Sequence, residues 1–361
     1  MTEPLPNILD LTLAELKNAL ASMGEPQYRA AQIHQWLFSH RAGDFEAMST
    51  LGVALRRKLA EAFVIQTPVT VSHQECTEEA CGNPTEKLLL KLYDGELVET
   101  VLIRAAGRLT ACVSSQAGCA FGCAFCATGK TGLKRNLTAG EMTAQVYALN
   151  DIATTRDPLE KITNIVFMGM GEPLMNTDNV IEAIETLTSR NYRFSLSRKK
   201  ITISTVGVIP EIRRLAACGM KTKLAVSLHS ANQEKRETLM PVAARNYPLG
   251  ELRKALADYT AKTGMPVTLV YMLLDGINDS AEDAKTLARF AHGFLCKINL
   301  IDYNSIINIK FKPVNSAVRD RFQQYLQDSG LHVTVRKSYG TSINAACGQL
   351  AASAVRHPEP Q

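Results

Sequence analysis

No stretch of this 361-residue sequence approaches the roughly 20 continuous apolar residues that a membrane-spanning helix requires, so no such helix is expected. The opening residues, MTEPLPNILD, carry neither the basic segment nor the apolar run of a secretory signal, and a cytoplasmic protein is expected. Charged residues are sparse, at 21% against 46% hydrophobic, which excludes a largely disordered chain and leaves enough apolar surface for a sizeable core. There is no internal repeat, no low-complexity tract and no heptad run, so nothing demands a partner copy and a monomer is expected. A second CxxC to complete a zinc ribbon is also missing. The net charge of +5, with a pI near 8.7, is too mild to identify a nucleic-acid binder by itself.

What is there falls into three stretches. Residues 1–65 read as a small helical domain suited to docking on RNA: Thr12 caps a segment with Leu13, Leu16 and Leu20 on one face. Pro26 opens a second helix carrying Ile33, Trp36 and Leu37, and a third runs through Leu55, Leu59 and Phe63. From 66 to 106, VTVSHQEC, EKLLLKLY and ELVETVLI are β-branched and apolar runs separated by Gly, Asn, Pro and Asp, the pattern of a short antiparallel meander bridging two domains. From 107 to 350, short apolar runs alternate with helical stretches: NIVFMGM, KITISTVG, KLAVSLH, PVTLVYMLL and KINLIDY. Strands followed by helices imply βαβ units and a parallel sheet. Counting the strand that leads to Cys112, about six units give an α/β fold with an open, partial (β/α)6 barrel. Chemistry in such barrels gathers at the C-terminal ends of the strands. Residues 351–361 are expected to be a flexible tail.

Nine cysteines, an odd number without an export signal, point to metal ligands or catalytic thiols more than to a disulfide framework. Cys119, Cys123 and Cys126 crowd into eight residues flanked by Gly118, Gly122 and Gly129, whose lack of a Cβ lets the backbone wrap closely. Iron–sulfur clusters are ordinarily held by four thiolates, so three would leave one iron open to a further ligand. A structural zinc with a distant fourth ligand, or three ordinary buried cysteines, are the alternatives on the residues alone.

C-x3-C-x2-C after a strand, followed one βα unit later by Gly169-Met170-Gly171-Glu172-Pro173, resembles the radical S-adenosylmethionine (SAM) superfamily. With CVSSQAGC around Cys112 and AACGQL around Cys347, the chain resembles the RlmN/Cfr family of RNA adenosine methyltransferases within it, from the N-terminal helices to residue 350. The resemblance implies a [4Fe-4S] cluster on Cys119, Cys123 and Cys126, and two molecules of SAM per turnover. It implies SAM contacts from Gly171, Glu172, Ser204, Ser227, Leu228, His229 and Asn304. It also implies that Cys347 is S-methylated, carries the methyl carbon onto the adenine through a covalent protein–RNA adduct, and is released as a disulfide with Cys112, which takes a proton. Read from the residues alone, Cys112 and Cys347 would be small buried hydrophobes. Glu99 matches a glutamate that the family uses as a proton acceptor, whereas its strand alone would make it an exposed carboxylate. Cys76, Cys81, Cys218 and Cys296 match no motif and read as packing or surface thiols.

The implied substrates are 23S rRNA and the adenosine 3′ of the tRNA anticodon, methylated at C2, with a flavodoxin-type protein as electron donor. Pro173 favours C2 over the C8 chemistry of the sister enzymes. A non-catalytic RNA-binding protein stapled by a metal is the remote alternative. Departures from the family pattern are Ser305, Tyr339 and Ser342, where proline, arginine and an acidic residue are usual. Candidate phosphate contacts are Lys130, Lys134, Arg135 and the Arg198–Lys200 run near the active rim, with Arg56 to Lys58 gripping RNA from the N-terminal domain.

Overall fold

A computed structural model describes residues 5–77, 84–105, 107–190, 194–306, 309–336 and 338–352. The N-terminal helices are α1 (Leu13–Ser22), α2 (Arg29–Gln35) and α3 (Val53–Ala62). Thr12 caps α1 as its sequence predicts: its hydroxyl accepts from Glu15 N–H at 3.1 Å, and the Glu15 carboxylate accepts from Thr12 N–H at 2.8 Å. Residues after Pro26 form a turn first, so α2 begins at Arg29, whose N–H donates to the Pro26 carbonyl. Leu16, Leu20, Ile33, Leu55 and Leu59 close a core of their own, completed by Tyr147 from the long helix Ala139–Arg156. The Tyr147 hydroxyl donates to the Phe38 carbonyl and Arg41 pairs with Asp151, so this helical unit is fastened to that helix.

The strands are β1 (Val69–Cys76), β2 (Thr85–Lys91), β3 (Leu97–Ala105), β4 (Arg108–Cys112), β5 (Gln116–Gly118), β6 (Leu133–Asn136), β7 (Asn164–Phe167), β8 (Ile201–Thr205), β9 (Lys223–Ser227), β10 (Val267–Leu273), β11 (Cys296–Asp302) and β12 (Val333–Arg336). β5 and β6 pair with each other. The other ten form one sheet in the order β1-β2-β3-β4-β7-β8-β9-β10-β11-β12. β1 to β4 pair antiparallel, and from β4 onward every neighbour is parallel. The meander therefore runs straight into the parallel sheet through β3–β4. β12 adds a parallel strand beyond the six expected. It is only four residues long and half exposed, too short and polar to stand out in the sequence.

Parallel strands covered by helices read as near-continuous apolar runs. β10 fits: apart from Thr268, all its residues are buried. Along β8, β9 and β11, Ser204, Ser227, Asn299 and Ile301 line the cleft, while Ile203, Val226 and Leu300 beside them are buried in the core. Among the described residues no helix is long and apolar enough to cross a membrane.

Candidate active site

At the C-terminal ends of the parallel strands lies a cleft of about 160 Å³. The cysteine loop forms one wall, with Cys119, Cys123, Phe125 and Cys126. Gly171, Glu172, Ser204, Ser227 and His229, from the ends of β7, β8 and β9, form the opposite wall. Of the residues expected at SAM, two do not line it: Leu228 is fully buried behind the strand, and Asn304 reaches it only through Cys347. The cysteine loop turns tightly enough that a Cβ on Gly129 would sit 2.9 Å from the Cys123 nitrogen. Gly171 has φ +97°, and a Cβ there would lie 2.5 Å from the Gln116 Cβ.

That last contact shows what CVSSQ does. Ser114 Oγ accepts from Met170 N–H at 2.8 Å and donates to the Glu99 carbonyl at 2.6 Å. Gln116 Oε1 accepts from Glu172 N–H at 2.8 Å. Gln145, from the long helix, holds both backbone groups of Ser114. These buried polar side chains lock the loop after β4 to the glycine-rich end of β7. Sequence reading missed all three, since a polar residue's partner is visible only once the strands are side by side.

Glu172 is buried, and its carboxylate accepts from Leu174 N–H at 3.0 Å and Val206 N–H at 2.8 Å. Burial nevertheless pushes its pKa up to about 7, against the pull of those donors and of Thr205. A cationic amine placed against it would meet a carboxylate that few other groups compensate. His229 adopts φ +53°, its Nδ1 accepts from Met272 N–H at 3.1 Å, and its ring stands edge-on to Phe125 with centroids 4.7 Å apart. Burial, reinforced by the Arg236 charge, lowers its pKa to about 3, so the imidazole is neutral with its proton on Nε2.

All three loop cysteines have raised pKa values, burial being the largest cause, with Cys119 pushed up to about 11. They are thiols until a metal's charge holds them as thiolates. Among the described residues no three His, Cys, Asp or Glu side chains converge as a single metal ion would require. A cubane asks for something else, because each cysteine binds a different iron. The donor set fits it: three sulfurs on one wall of the cleft, with Phe125 between the second and third.

A second cavity of about 30 Å³ adjoins the cleft, lined by Cys112, Ile103, Tyr339 and Ala346. Cys347 lines both cavities, as do Met168, Ile301 and Arg336. Both thiols are free. Cys112 is buried and its pKa is raised to about 12, by desolvation first and then by Cys347, with Arg336 pulling the other way. Arg336 ends β12, the strand that sequence reading did not anticipate.

Residues 345–352 form a strap over this region. Ala127 N–H donates to the Gly348 carbonyl at 2.8 Å, Thr128 Oγ1 to the Leu350 carbonyl at 2.5 Å, and Asn304 Nδ2 to the Cys347 carbonyl at 3.3 Å. Glu99 is not the exposed strand carboxylate its sequence suggests. It is 5% exposed, pairs with Lys87 at 2.9 Å, and accepts from Ala351 and Ala352 N–H at 2.8 and 3.1 Å. The meander joins the barrel sheet, so a side chain in the middle of β3 ends up under the strap.

Several of the expected phosphate contacts, and one expected thiol, lie otherwise. The Arg198–Lys200 run precedes β8 and therefore lies at the end of the barrel away from the cleft, near Lys223, where Lys297 and Arg108 also act. Arg198 is paired there with Glu185. Cys76 is not a free thiol but disulfide-bonded, and Cys81 lies outside the described residues. Arg135 is committed to Asp94 and, through two nitrogens, to Glu141, and stacks on Tyr93. Arg56 and Lys58 pair with Glu46 and Glu25, whereas Arg57 and Lys134 are exposed and enter no ion pair among the described residues.

Residues 113–291 match the radical SAM superfamily, and residues 6–65 match the N-terminal domain of ribosomal RNA large subunit methyltransferases. A protein of Pelodictyon phaeoclathratiforme described as "Probable dual-specificity RNA methyltransferase RlmN" is 67% identical over 99% of this chain and 100% of its own length. A Chlorobium luteolum protein of the same description is 66% identical over 96% of each. The chain belongs to the RlmN family. A crystal structure of a radical SAM methyltransferase from Sphaerobacter thermophilus, 43% identical, superposes with a TM-score of 0.88 over 97% of this chain and all of that one. As an RlmN-family protein it is a radical SAM RNA methyltransferase, with a [4Fe-4S] cluster and SAM as its cofactors.

Proposed function

We propose that this enzyme methylates C2 of an adenosine in 23S rRNA and of the adenosine 3′ of the tRNA anticodon, with Cys347 as the methyl carrier and Cys112 as the thiol that releases the product. The observation that carries the reading is the position of Cys347, at the junction of the cleft and the small cavity holding Cys112. A residue that must receive a methyl group on one side and form a disulfide on the other needs such a place.

Cys119, Cys123 and Cys126 would hold the cluster, which together with SAM supplies the radical that an electron-poor aromatic carbon requires. Gly171, Glu172, Ser204, Ser227 and His229 would seat SAM, with the Glu172 carboxylate facing its ammonium group. Leu228 and Asn304 would act at one remove, as strand packing and as the anchor of the Cys347 carbonyl. Burial keeps Cys112 a thiol at rest, so its proton must leave before it can accept one from the modified carbon or attack Cys347. Glu99, as proton acceptor, would lose the charge that binds Lys87 and the amides of residues 351 and 352, coupling proton uptake to loosening of the strap. The target base must leave its stack to reach the cleft. Lys130 and Lys134, next to the cysteine loop, and Arg57 on the N-terminal helices are the cations suited to phosphates. A flavodoxin-type donor, a monomeric state and a cytoplasmic location complete the proposal.

The test is anaerobic reconstitution with iron and sulfide, then incubation with SAM, dithionite and rRNA fragments. Methyl at C2 of adenosine, absent in Cys347→Ala, is the expected outcome. Methyl at C8, or C2 methylation that survives Cys347→Ala, overturns the reading.

A further inference from the structure

Arg236, on the helix Gln233–Leu239 that follows β9, is among the largest fully buried side chains of the described protein, at 0% exposure. Buried arginines are ordinarily paired with a carboxylate. This one enters no salt bridge among the described residues. Its Nη1 donates to the Tyr247 carbonyl at 3.1 Å and its Nη2 to the Val206 carbonyl at 2.7 Å, while Nε has no hydrogen-bond partner. Two neutral carbonyls orient a guanidinium but do not neutralise it. A positive charge has thus been taken out of water without an anion to meet it.

Its neighbours say where the anion belongs. The end of the same helix is tied to the cysteine loop, since Ala124 N–H, between Cys123 and Cys126, donates to the Leu239 carbonyl at 2.9 Å. Arg236 lies within electrostatic range of Cys123 on one side and of His229, just past β9, on the other. Val206, whose carbonyl Arg236 holds, gives its N–H to the Glu172 carboxylate. Arg236 therefore stands behind both walls of the cleft. Three cysteinates outweigh the positive charge of a cubane core, and one-electron reduction adds further negative charge at that spot.

We propose that Arg236 is a positioning residue whose buried charge, placed behind the cysteine loop, offsets the negative charge of the reduced cluster and raises its reduction potential. Nothing in the sequence marks it, because an arginine in a short charged helix reads as a solvated face. The inference rests on Cys119, Cys123 and Cys126 being the cluster ligands. A nearby cation favours the reduced state because each added electron meets less repulsion, and at low dielectric that effect is largest.

The test uses the whole enzyme, reconstituted with iron and sulfide as wild type, Arg236→Met, Arg236→Gln and Arg236→Lys. Iron and sulfide per chain report loading, and EPR in a mediated redox titration, without SAM or RNA, reports the reduced fraction. At the wild-type midpoint the two neutral variants should lose at least tenfold in the reduced-to-oxidised ratio, equivalent to about 59 mV for a one-electron couple. Arg236→Lys, which keeps the charge but not the fork, should stay within about threefold of wild type. Loaded neutral variants with an unchanged ratio, or a lysine variant that falls as far as they do, overturn the proposal. Should the neutral variants not load while the lysine variant does, with a ratio near wild type, the charge at this position is what the cluster requires and the proposal stands; a tenfold fall in the lysine variant refutes the role of charge. Equal iron in wild type and Cys119→Ala would instead overturn the ligand assignment, before any potential is read.

Discussion

Glu99→Gln isolates the carboxylate that fastens the strap carrying Cys347. In the folded protein, Glu99 Oε2 accepts from the amides of Ala351 and Ala352, and Oε1 pairs with Lys87. Hydrogen bonds to a charged acceptor contribute about 1.5–3 kcal/mol each and neutral ones about 1 kcal/mol, so a glutamine oxygen in the same place weakens the two by about 2 kcal/mol together. Stranding the Lys87 ammonium, itself 8% exposed, adds to the loss. The other anchors, from Ala127, Thr128, Asn304 and Gln349, remain, so the strap opens more often without the barrel unfolding. About 2 kcal/mol in the local opening equilibrium is about 30-fold in amide exchange rate. Hydrogen exchange read by mass spectrometry on the peptide spanning 346–352 should therefore quicken by about that factor, while peptides of β8 to β10 keep their wild-type rates. Exchange in 346–352 unchanged within a factor of two would refute the latch. Uniform acceleration everywhere would refute its being local.

Asp10, which does not line the cleft, offers a pH test. Burial raises its pKa from 3.8 to about 6, and its Oδ1 lacks a partner. A carboxyl that binds its proton more tightly when folded stabilises the fold below about pH 4 and loses that contribution as pH rises through 6. Asp10→Asn should therefore gain stability over wild type by up to about 3 kcal/mol at pH 8, with little gain at pH 4, measured by urea unfolding; a gain that does not depend on pH would count against the assignment. Arg135→Ala and Lys134→Ala should part company. The first strands the buried Glu141 and should lower stability by about 3–5 kcal/mol. The second, being exposed, should leave the melting temperature alone and reduce the salt slope of RNA binding by about one. Equal effects of the two on melting would contradict the pairing described for Arg135.

Legibility was uneven, and for physical reasons. Thr12 with Glu15, the apolar runs of β7 to β11, and the glycines beside the three cysteines are local devices: a cap, a period and a tight turn are complete within a few residues. The cysteine spacing, the GMGEP strand end and the AACGQL segment are chemical signatures that need no neighbours to be noticed. What could not be read was every property that depends on who stands opposite. Glu99 looked exposed until β3 became part of the barrel sheet and the strap closed over it. Arg135 looked like a free phosphate contact until Asp94 and Glu141 met it, and the Arg198–Lys200 run looked close to the rim until β8 carried it to the far end.

The sequence by itself determined the strand–helix alternation of the barrel and the family, because these rest on periodicity and on motifs that each segment carries with it. Only the tertiary structure decided that Cys347 faces both Cys112 and the cysteine loop, that Ser114 and Gln116 bind the end of β7, and that Arg236 is buried without a counter-charge. Burial, pairing and charge compensation are relations between residues distant along the chain, and they come into being when the strands take their order in the sheet.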